Sequence, residues 1–186
     1  MSRKSDPRTL RTRDRLGDAL ITLMLERDFD SIKVQDVLDL AGVGRSTFYA
    51  HYRDKEDLFI SDIDDFWSRF ANALSEAGSR NDRVAPVREL FEHVAGAQVL
   101  IASLTESGRL HEVIELGRLH FARGIEQRLS QNPRAARLDK ERRQELAHAY
   151  AGALMALMMR WLDRTNDRTP AEMDELFHRI VWSSVG

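Results

Sequence analysis

The sequence predicts an all-α fold of about nine helices. Apolar residues recur at spacings of three and four along most of the chain, which is the period of an amphipathic helix. Proline, glycine and capping residues stand near the ends of these segments, and no segment alternates apolar and polar residues as a half-buried strand would. The predicted helices span residues 9–27, 34–41, 45–51, 55–77, 86–94, 98–104, 110–130, 139–164 and 170–184.

Composition limits the classes of protein to consider. The chain has 186 residues, 42% of them hydrophobic, which is enough for a buried core. It contains no cysteine, so disulfides and Cys-ligated zinc are excluded. The first residues are polar and lack the apolar core of a signal peptide, and no run is long enough to span a membrane. We therefore expect a cytoplasmic protein without a membrane partner.

The early helices are short and sharply bounded. In the first helix, Leu16, Leu20 and Leu23 form the apolar stripe, and Phe29 is predicted to fill the space behind the loop that follows. The stripe of the second helix consists of Val34, Val37, Leu38 and Ala41. Gly42 then allows a tight break, because glycine adopts a left-handed backbone conformation without a Cβ clash.

The later helices have recognisable ends. Asp54 is a good N-cap for the fourth helix, and Pro86 suits the first turn of the fifth. Asn132-Pro133 stops the seventh helix. The segment Thr169-Pro170-Ala171-Glu172 is a capping box with proline at the first helical position, which predicts the start of the ninth helix.

The third helix is the candidate functional element. Phe48 is the apolar residue that we expect to pack onto the second helix. The other side chains of the third helix are polar, donor-rich or aromatic and cannot all be buried. A short helix with one apolar anchor and an exposed hydrogen-bonding face is typical of a recognition helix in the major groove of DNA.

The same stretch resembles a known family. The segment AGVGRSTFYAHYRDKEDLF is similar to the TetR family of bacterial transcription regulators, whose usual pattern is close to A-G-V-S-R-G-T-F-Y-x-H-F-x-S-K-E-x-L. The matching residues are Ala41, Gly42, Val43, Arg45, Thr47, Phe48, Tyr49, His51, Lys55, Glu56 and Leu58. Gly44, Lys33 and Leu38 depart from the pattern, the first two where Ser and a capping Thr are common. Beyond residue 60 the resemblance rests on the pattern of helices and on Trp161 at the end of the apolar eighth helix.

These residues are the candidate DNA contacts. Lys55, near the start of the fourth helix, is predicted to bind a phosphate with help from the helix dipole. The full set is Lys33, Arg45, Ser46, Thr47, Tyr49, His51, Tyr52 and Lys55. The first fifteen residues also carry a basic arm placed to meet phosphates, consisting of Arg3, Lys4, Arg8, Arg11, Arg13 and Arg15 against Asp6 and Asp14.

The chain is predicted to divide into a DNA-binding domain, residues 1–58, and a helical regulatory and dimerisation domain, residues 59–186. No flexible linker separates the two, so we expect the fourth helix to carry conformational switching. The resemblance implies a ligand cavity in the second domain, although the same residues could be ordinary core or dimer contacts. The candidates are Phe66, Trp67, Phe70, Phe91, His93, Phe121, Met155, Met158, Met159 and Trp161.

A homodimer is expected because the last two helices offer more apolar surface than one small bundle can bury. Small residues on the eighth helix would let a partner helix approach closely, giving a four-helix interface. The candidate interface residues are Ala149, Gly152, Ala153, Ala156, Phe177, Ile180 and Val181. Two recognition helices about 34–36 Å apart would then read the halves of a near-palindromic double-stranded operator.

The sequence leaves three candidate functions, which it supports unequally. The leading one is a DNA-binding regulator, by family resemblance a repressor, controlled by a small-molecule effector; the second keeps the fold but replaces the effector by a protein partner. An enzyme is disfavoured because no nucleophile–base pair, paired-carboxylate motif or phosphate loop stands out, and no cofactor is expected. The H-E-x-x-E segment at His111, Glu112 and Glu115, with His120 nearby, lacks the second histidine that a zinc protease needs at the i+4 position.

Overall fold

The computed structural model describes residues 7–76, 82–163 and 167–185, and regular structure in those ranges is entirely helical, which confirms the predicted fold class. The helices are α1 (Pro7–Glu26), α2 (Val34–Ala41), α3 (Arg45–Tyr49), α4 (Lys55–Glu76), α5 (Val87–Gly96), α6 (Gln98–Glu106), α7 (Leu110–Gln131), α8 (Lys140–Leu162) and α9 (Pro170–Val185). Short 3-10 turns occur at Phe29–Ser31 and Pro133–Ala135.

Several predicted ends shift by a turn or less. Helix α3 ends at Tyr49 instead of His51, because the His51 N–H bonds to Phe48 O at 2.8 Å in a tighter turn. Helix α5 continues through Gly96, and α6 extends to Glu106. The predicted ends of the fourth helix at residue 77 and of the eighth at residue 164 lie outside the described residues.

The chain forms two compact units. The first comprises Met1–Asp65 and Gln98–Val113, and the second comprises Phe66–Ala97 and Ile114–Gly186. The first unit thus includes α6, which the predicted boundary at residue 58 places in the second domain. Since compact units and functional domains need not coincide, the boundary itself stays a prediction.

The first unit is built around α1 and the aromatic residues that follow it. The apolar stripe of α1 is buried, with Leu16 and Leu20 both at 0% exposure. Phe29, Phe48 and Phe59 are also at 0% exposure, and the rings of Phe29 and Phe59 meet edge to face at 5.5 Å. These side chains exclude water behind α2 and α3, so each of the two short helices is held by packing more than by its own propensity.

The second unit packs α5 against α8 and α9. Phe91 from α5, Leu154 from α8 and Phe177 from α9 are all at 0% exposure. Hydrogen bonds add specificity: the Tyr150 hydroxyl donates to Val181 O at 3.2 Å, joining α8 to α9. The predicted capping box is present at the start of α9, where Thr169 N–H donates to the Glu172 carboxylate at 2.7 Å.

Candidate nucleic-acid interface

Gly42 makes the turn between α2 and α3. Its backbone is left-handed, with φ of 60° and ψ of 42°. The Val43 N–H then bonds back to Leu38 O at 3.1 Å, which closes α2. The guanidinium of Arg15 donates to the carbonyls of Ala41 and Gly42. Arg15, predicted as part of a phosphate-binding arm, therefore caps the C-terminal end of α2.

The burial of α3 divides it into an inner and an outer face. Phe48 is 0% exposed, whereas Tyr49 is 52% exposed, which confirms the predicted orientation of this pair. The two rings meet edge to face at 5.2 Å, so the buried ring supports the exposed one. The other candidate contacts on this surface, Arg45, Ser46, Thr47 and His51, are exposed.

A hydrogen-bonded chain orients Arg45. Its guanidinium donates to the side-chain oxygen of Gln35 at 2.7 Å, and the Gln35 amide donates to Asp39 at 2.7 Å. Gln35 and Asp39 are exposed on α2. Gln35 was not among the predicted contacts, because it lies outside the apolar stripe and the matching residues. Its amide is nevertheless one of the groups that read base edges.

Lys33 is the N-cap residue of α2, and its side chain is exposed beside the same surface. Its backbone N–H donates to the Asp36 carboxylate at 2.8 Å, which anchors the start of α2. That hydrogen bond, together with the positive charge of Arg27 at 3.0 Å, lowers the pKa of Asp36. The lysine side chain takes no part in this capping.

The prediction that Tyr52 contacts DNA is contradicted by its burial. Tyr52 is only 5% exposed, and its hydroxyl accepts a hydrogen bond from Arg13 Nε at 3.1 Å. Burial raises the pKa of the Tyr52 hydroxyl, even though the Arg13 charge acts in the opposite direction. Arg13 also pairs with Asp65 at 2.6 Å. Tyr52 and Arg13 therefore tie α1 to the turn after α3 and to α4.

Lys55 is engaged within the protein. Its ammonium donates to the carbonyls of Phe29, Asp30 and Ile32 at 2.7, 3.2 and 2.9 Å. This arrangement uses all three donors of the ammonium, which disfavours the predicted contact with a phosphate. Of the remaining basic arm, Arg8 and Arg11 are exposed, whereas Arg3 and Lys4 lie outside the described residues.

Only some of the ten predicted ligand-cavity residues lie together in the second unit. Trp67, Phe70 and Phe121 contact one another, and the rings of Phe66 and His93 lie 5.0 Å apart. Trp67, Phe91, Phe121, Met155 and Met158 are buried; Phe66, Phe70, Met159 and Trp161 are half-buried; His93 is exposed. Desolvation by its neighbours lowers the pKa of His93, which favours the neutral imidazole.

Two surface grooves in the second unit are lined by other residues. One, of about 560 Å³, lies beside Arg83, Arg134, His178 and Trp182. The other, of about 440 Å³, lies between α7 and α8 beside Arg123, Glu126, Glu145 and His148. Charged side chains dominate both grooves, and neither contains any of the ten predicted cavity residues.

The predicted dimer residues fall into two sets. Ala149 and Ala156 are exposed on α8, with Gly152 and Ala153 half-buried between them; on α9, Ile180 is 39% exposed. Phe177 and Val181 are both at 0% exposure within the single chain. Because a side chain buried in its own protomer cannot contact a partner, the burial of these two contradicts their direct role in an interface.

The H-E-x-x-E segment forms ordinary ion pairs. Glu112 lies 3.7 Å from Arg109, and Glu115 bonds to Arg118. Within the described ranges, no group of histidine and carboxylate side chains is arranged to hold a metal ion. A search of the same ranges finds no helix of the length and hydrophobicity needed to cross a membrane.

Comparison with known proteins gives a consistent result. Residues 17–61 match the model of the bacterial regulatory proteins of the tetR family. The chain is 32% identical over 78 residues to the HTH-type transcriptional regulator YxbF of Bacillus subtilis (strain 168), covering 41% of this chain and 20% of YxbF. It is 28% identical over 122 residues to the HTH-type transcriptional regulator AcrR of Shigella flexneri, covering 61% of this chain and 53% of AcrR. The chain thus spans between a fifth and about half of the length of these relatives.

Solved structures share the fold over nearly the whole chain. A TetR transcriptional regulator from Streptococcus agalactiae 2603V superposes with a TM-score of 0.61 at 22% identity, covering 94% of this chain and 95% of that one. The TetR family repressor AlkX from Dietzia sp. strain DQ12-45-1b gives 0.60 at 15% identity, covering 99% and 97%. At these identities the likeness concerns the fold alone.

The fold and the exposed α3 surface define an all-helical protein of the helix-turn-helix class. The match at residues 17–61 identifies this part of the chain as a DNA-binding domain of the TetR family of transcriptional regulators. The relatives and solved structures named above are regulators and not enzymes, in agreement with the expectation from the sequence.

Proposed function

We propose that this chain is a dimeric, sequence-specific DNA-binding regulator that acts in the cytoplasm. The observation that carries the proposal is the exposed face of α3 above a fully buried Phe48. Arg45, oriented by Gln35, and Tyr49, supported by Phe48, are the central contacts. The proposed set is completed by Lys33, Ser46, Thr47 and His51. Tyr52 and Lys55 are left out because their polar atoms are engaged within the protein.

Selecting bound duplexes from a random DNA pool tests this proposal and reports specificity, palindromy and half-site spacing together. On the selected duplex, fluorescence anisotropy of Arg45→Ala and Tyr49→Ala is expected to show binding at least about tenfold weaker than wild type. Arg88→Ala, which removes an exposed arginine from α5 in the second unit, is the matched control. The proposed interface would be ruled out if no sequence were enriched, or if the wild type and the three variants bound the duplex equally well.

The dimer is proposed through the stripe Ala149, Gly152, Ala153 and Ala156 on α8, together with Ile180 on α9. These residues follow the i, i+3, i+4, i+7 pattern along α8, and an added Cβ at Gly152 would meet nothing within 4 Å, so that face of the chain is open. Sedimentation equilibrium of Ala156→Arg is expected to give monomers where the wild type gives dimers. Ala95→Arg, at an exposed position on α5, is the control. A monomeric wild type would contradict the proposal.

Control by a small molecule in the second unit is proposed from the family and from the half-buried Phe66 and Phe70 beside His93. An effector must bind the two conformations of the regulator with different affinity to shift binding of DNA. The charged character of both grooves favours, as a second candidate, control by a protein partner. A compound from a screened library that raises the melting temperature of the protein and releases it from DNA would support a small-molecule effector. Release from DNA by a protein and by no compound would support a protein partner.

The sign of regulation is proposed to be repression. One structural neighbour, DhaS, is described as an operon activator; it has 14% identity and a TM-score of 0.63, so activation is the alternative to test. A reporter gene placed behind the selected operator decides between the two: repression predicts higher expression when the regulator gene is deleted, and activation predicts lower expression.

A further inference from the structure

Two cationic side chains contact the ring of Phe29. This residue begins the 3-10 turn between α1 and α2 and is 0% exposed. Lys55 Nζ lies 4.5 Å from the ring centroid and Arg109 Cζ lies 3.7 Å from it. Each cation–π contact contributes about 0.5–1 kcal/mol at an exposed site and about 2 kcal/mol when it is desolvated. The pair therefore holds the turn more firmly than its three residues alone could.

Lys55 uses its full hydrogen-bonding capacity on the same turn. An ammonium group has three donors, and the carbonyls of Phe29, Asp30 and Ile32 accept from Lys55 Nζ at 2.7, 3.2 and 2.9 Å. These carbonyls lie just before α2, whose N-cap residue is Lys33. A phosphate could bind Lys55 only by displacing at least one of them.

Arg109 is held mainly by the aromatic ring. Its guanidinium lies 3.5, 3.8 and 3.7 Å from the carboxylates of Asp30, Glu56 and Glu112, which are 86%, 50% and 49% exposed. Such exposed ion pairs contribute little. The Arg109 side chain is itself only 18% exposed, and its Nε is buried without a hydrogen-bond partner in the described part of the chain.

Arg109 has a defined place in the backbone. It follows Gly108, whose φ is 70°, and its N–H bonds to Leu104 O at 2.9 Å. This turn between α6 and α7 belongs to the same compact unit as α1 to α3. In that unit the Ser103 hydroxyl of α6 also donates to Met24 O, in the last turn of α1, at 2.7 Å. The residues of α6 and the α6–α7 turn therefore brace the connection between α1 and α2.

We infer that Lys55 and Arg109 are positioning residues for DNA recognition, acting as a two-cation clamp on Phe29 that fixes the start of α2. Neither cation contacts DNA. Because Gly42 couples α2 to α3 through a closed turn, a displaced start of α2 misplaces Gln35 and Arg45 together. This inference rests on the proposed function and extends it to a residue, Arg109, far from α3 in the sequence.

The salt dependence of DNA binding distinguishes a positioning residue from a phosphate ligand. Loss of one phosphate contact reduces the slope of log K against log salt concentration by about 0.9. We expect Lys55→Met and Arg109→Met to bind the selected duplex about tenfold more weakly, with the wild-type slope. Arg109→Lys keeps the charge but not the flat guanidinium, so its affinity for the duplex is expected to lie between those of the wild type and Arg109→Met. Arg88→Met is the control for charge.

Hydrogen exchange in the DNA-free protein gives a second readout. The N–H groups of Asp36 and Val37 bond to Lys33 O at 3.0 and 3.4 Å in the first turn of α2. We expect faster exchange at these two amides in both Met variants, with no change at Leu90 in α5, whose N–H bonds to Pro86 O at 2.9 Å.

Each outcome decides the inference. A reduced salt slope would make Lys55 or Arg109 a phosphate ligand, and unchanged affinity would remove any role in recognition. Exchange that accelerates equally throughout the chain would leave a purely structural role. A wild type that binds no duplex would refute the proposed function, while local protection of α2 would still report whether the clamp exists.

Discussion

Gly42 shows how one residue type determines a local structure. Its φ of 60° lies in the region that costs other L-residues about 1–2 kcal/mol. A Cβ at this position would also lie 2.8 Å from the Arg15 guanidinium that caps α2. Phe48 and Tyr49 make the complementary point, since adjacent aromatic residues have opposite burial and therefore opposite roles.

Gly42→Ala is expected to lower the free energy of unfolding by about 1–2 kcal/mol, because the left-handed conformation becomes strained. Gly44 is a matched control with φ of −72° and open space around an added Cβ. Gly44→Ser supplies the missing N-cap oxygen of α3 and is expected to raise stability by a few tenths of a kcal/mol. Urea unfolding measures the free energy of unfolding of both variants. The same change in Gly42→Ala and Gly44→Ser would contradict this account of the turn.

At the scale of elements, helix ends and helix contacts depend on different kinds of residue. The capping box at α9 satisfies N–H groups that the helix itself cannot, with Glu172 N donating to Thr169 Oγ1 at 3.3 Å. The contact of α7 with α4 in the second unit depends instead on a small residue. A Cβ at Gly117 would come within 2.8 Å of the Trp67 ring.

Thr169→Ala is expected to cost about 1 kcal/mol of stability because the first turn of α9 loses its cap. Thr105→Ala is the control, since its exposed hydroxyl donates to Ile101 O within its own helix. The control is expected to change the free energy of unfolding by less than about 0.5 kcal/mol. Both variants are compared with wild type by urea unfolding, and an equal loss in the two would remove the special role of the cap.

Gly117→Ala is expected to destabilise by about 1–3 kcal/mol, because the indole of Trp67 must move within a packed core. Gly124→Ala on the same helix adds a Cβ at 3.5 Å from Ala71 O, an ordinary contact, and is expected to be neutral or stabilising. Thermal unfolding separates the two variants. A change in tryptophan fluorescence in the Gly117 variant alone would locate the strain.

At the scale of the whole molecule, ion pairs and core packing operate within each compact unit. In the second unit, Asp174 of α9 meets Arg83 at 3.0 Å and accepts from the Arg88 N–H at 3.2 Å, at the start of α5. Burial opposes ionisation of Asp174, but the hydrogen bond from His178 and the charge of Arg83 outweigh it. The pKa of Asp174 is therefore below its usual value.

This lowered pKa predicts acid sensitivity. A carboxyl group with a depressed folded-state pKa contributes stability that is present above its unfolded pKa, about 4, and lost as the pH falls through the folded value. We expect the melting temperature of the wild type to decrease as the pH is lowered through about 4. Asp174→Asn is expected to make that decrease smaller and to lower the stability at pH 7. Glu175→Gln, exposed on the same helix, is the control and should leave the pH profile unchanged.

The sequence by itself determined the order of the helices, the glycine turn and the opposite faces of α3. These features follow from local causes: helical periodicity, the φ that only glycine tolerates, and one apolar residue in a polar helix. The resemblance to the TetR family also followed from the sequence, because its matching residues all lie within positions 41–58.

Tertiary structure alone decided the roles of the cations and the hydroxyl around that helix. Arg13, Arg15 and Lys55 have the charge of phosphate ligands, yet each finds an acceptor in its own chain. For the same reason Gln35 was added to the proposed DNA contacts and Tyr52 was removed from them. A sequence specifies which side chains can donate hydrogen bonds. Their partners depend on which distant atoms the packing brings within hydrogen-bonding distance, and that is a property of the folded chain.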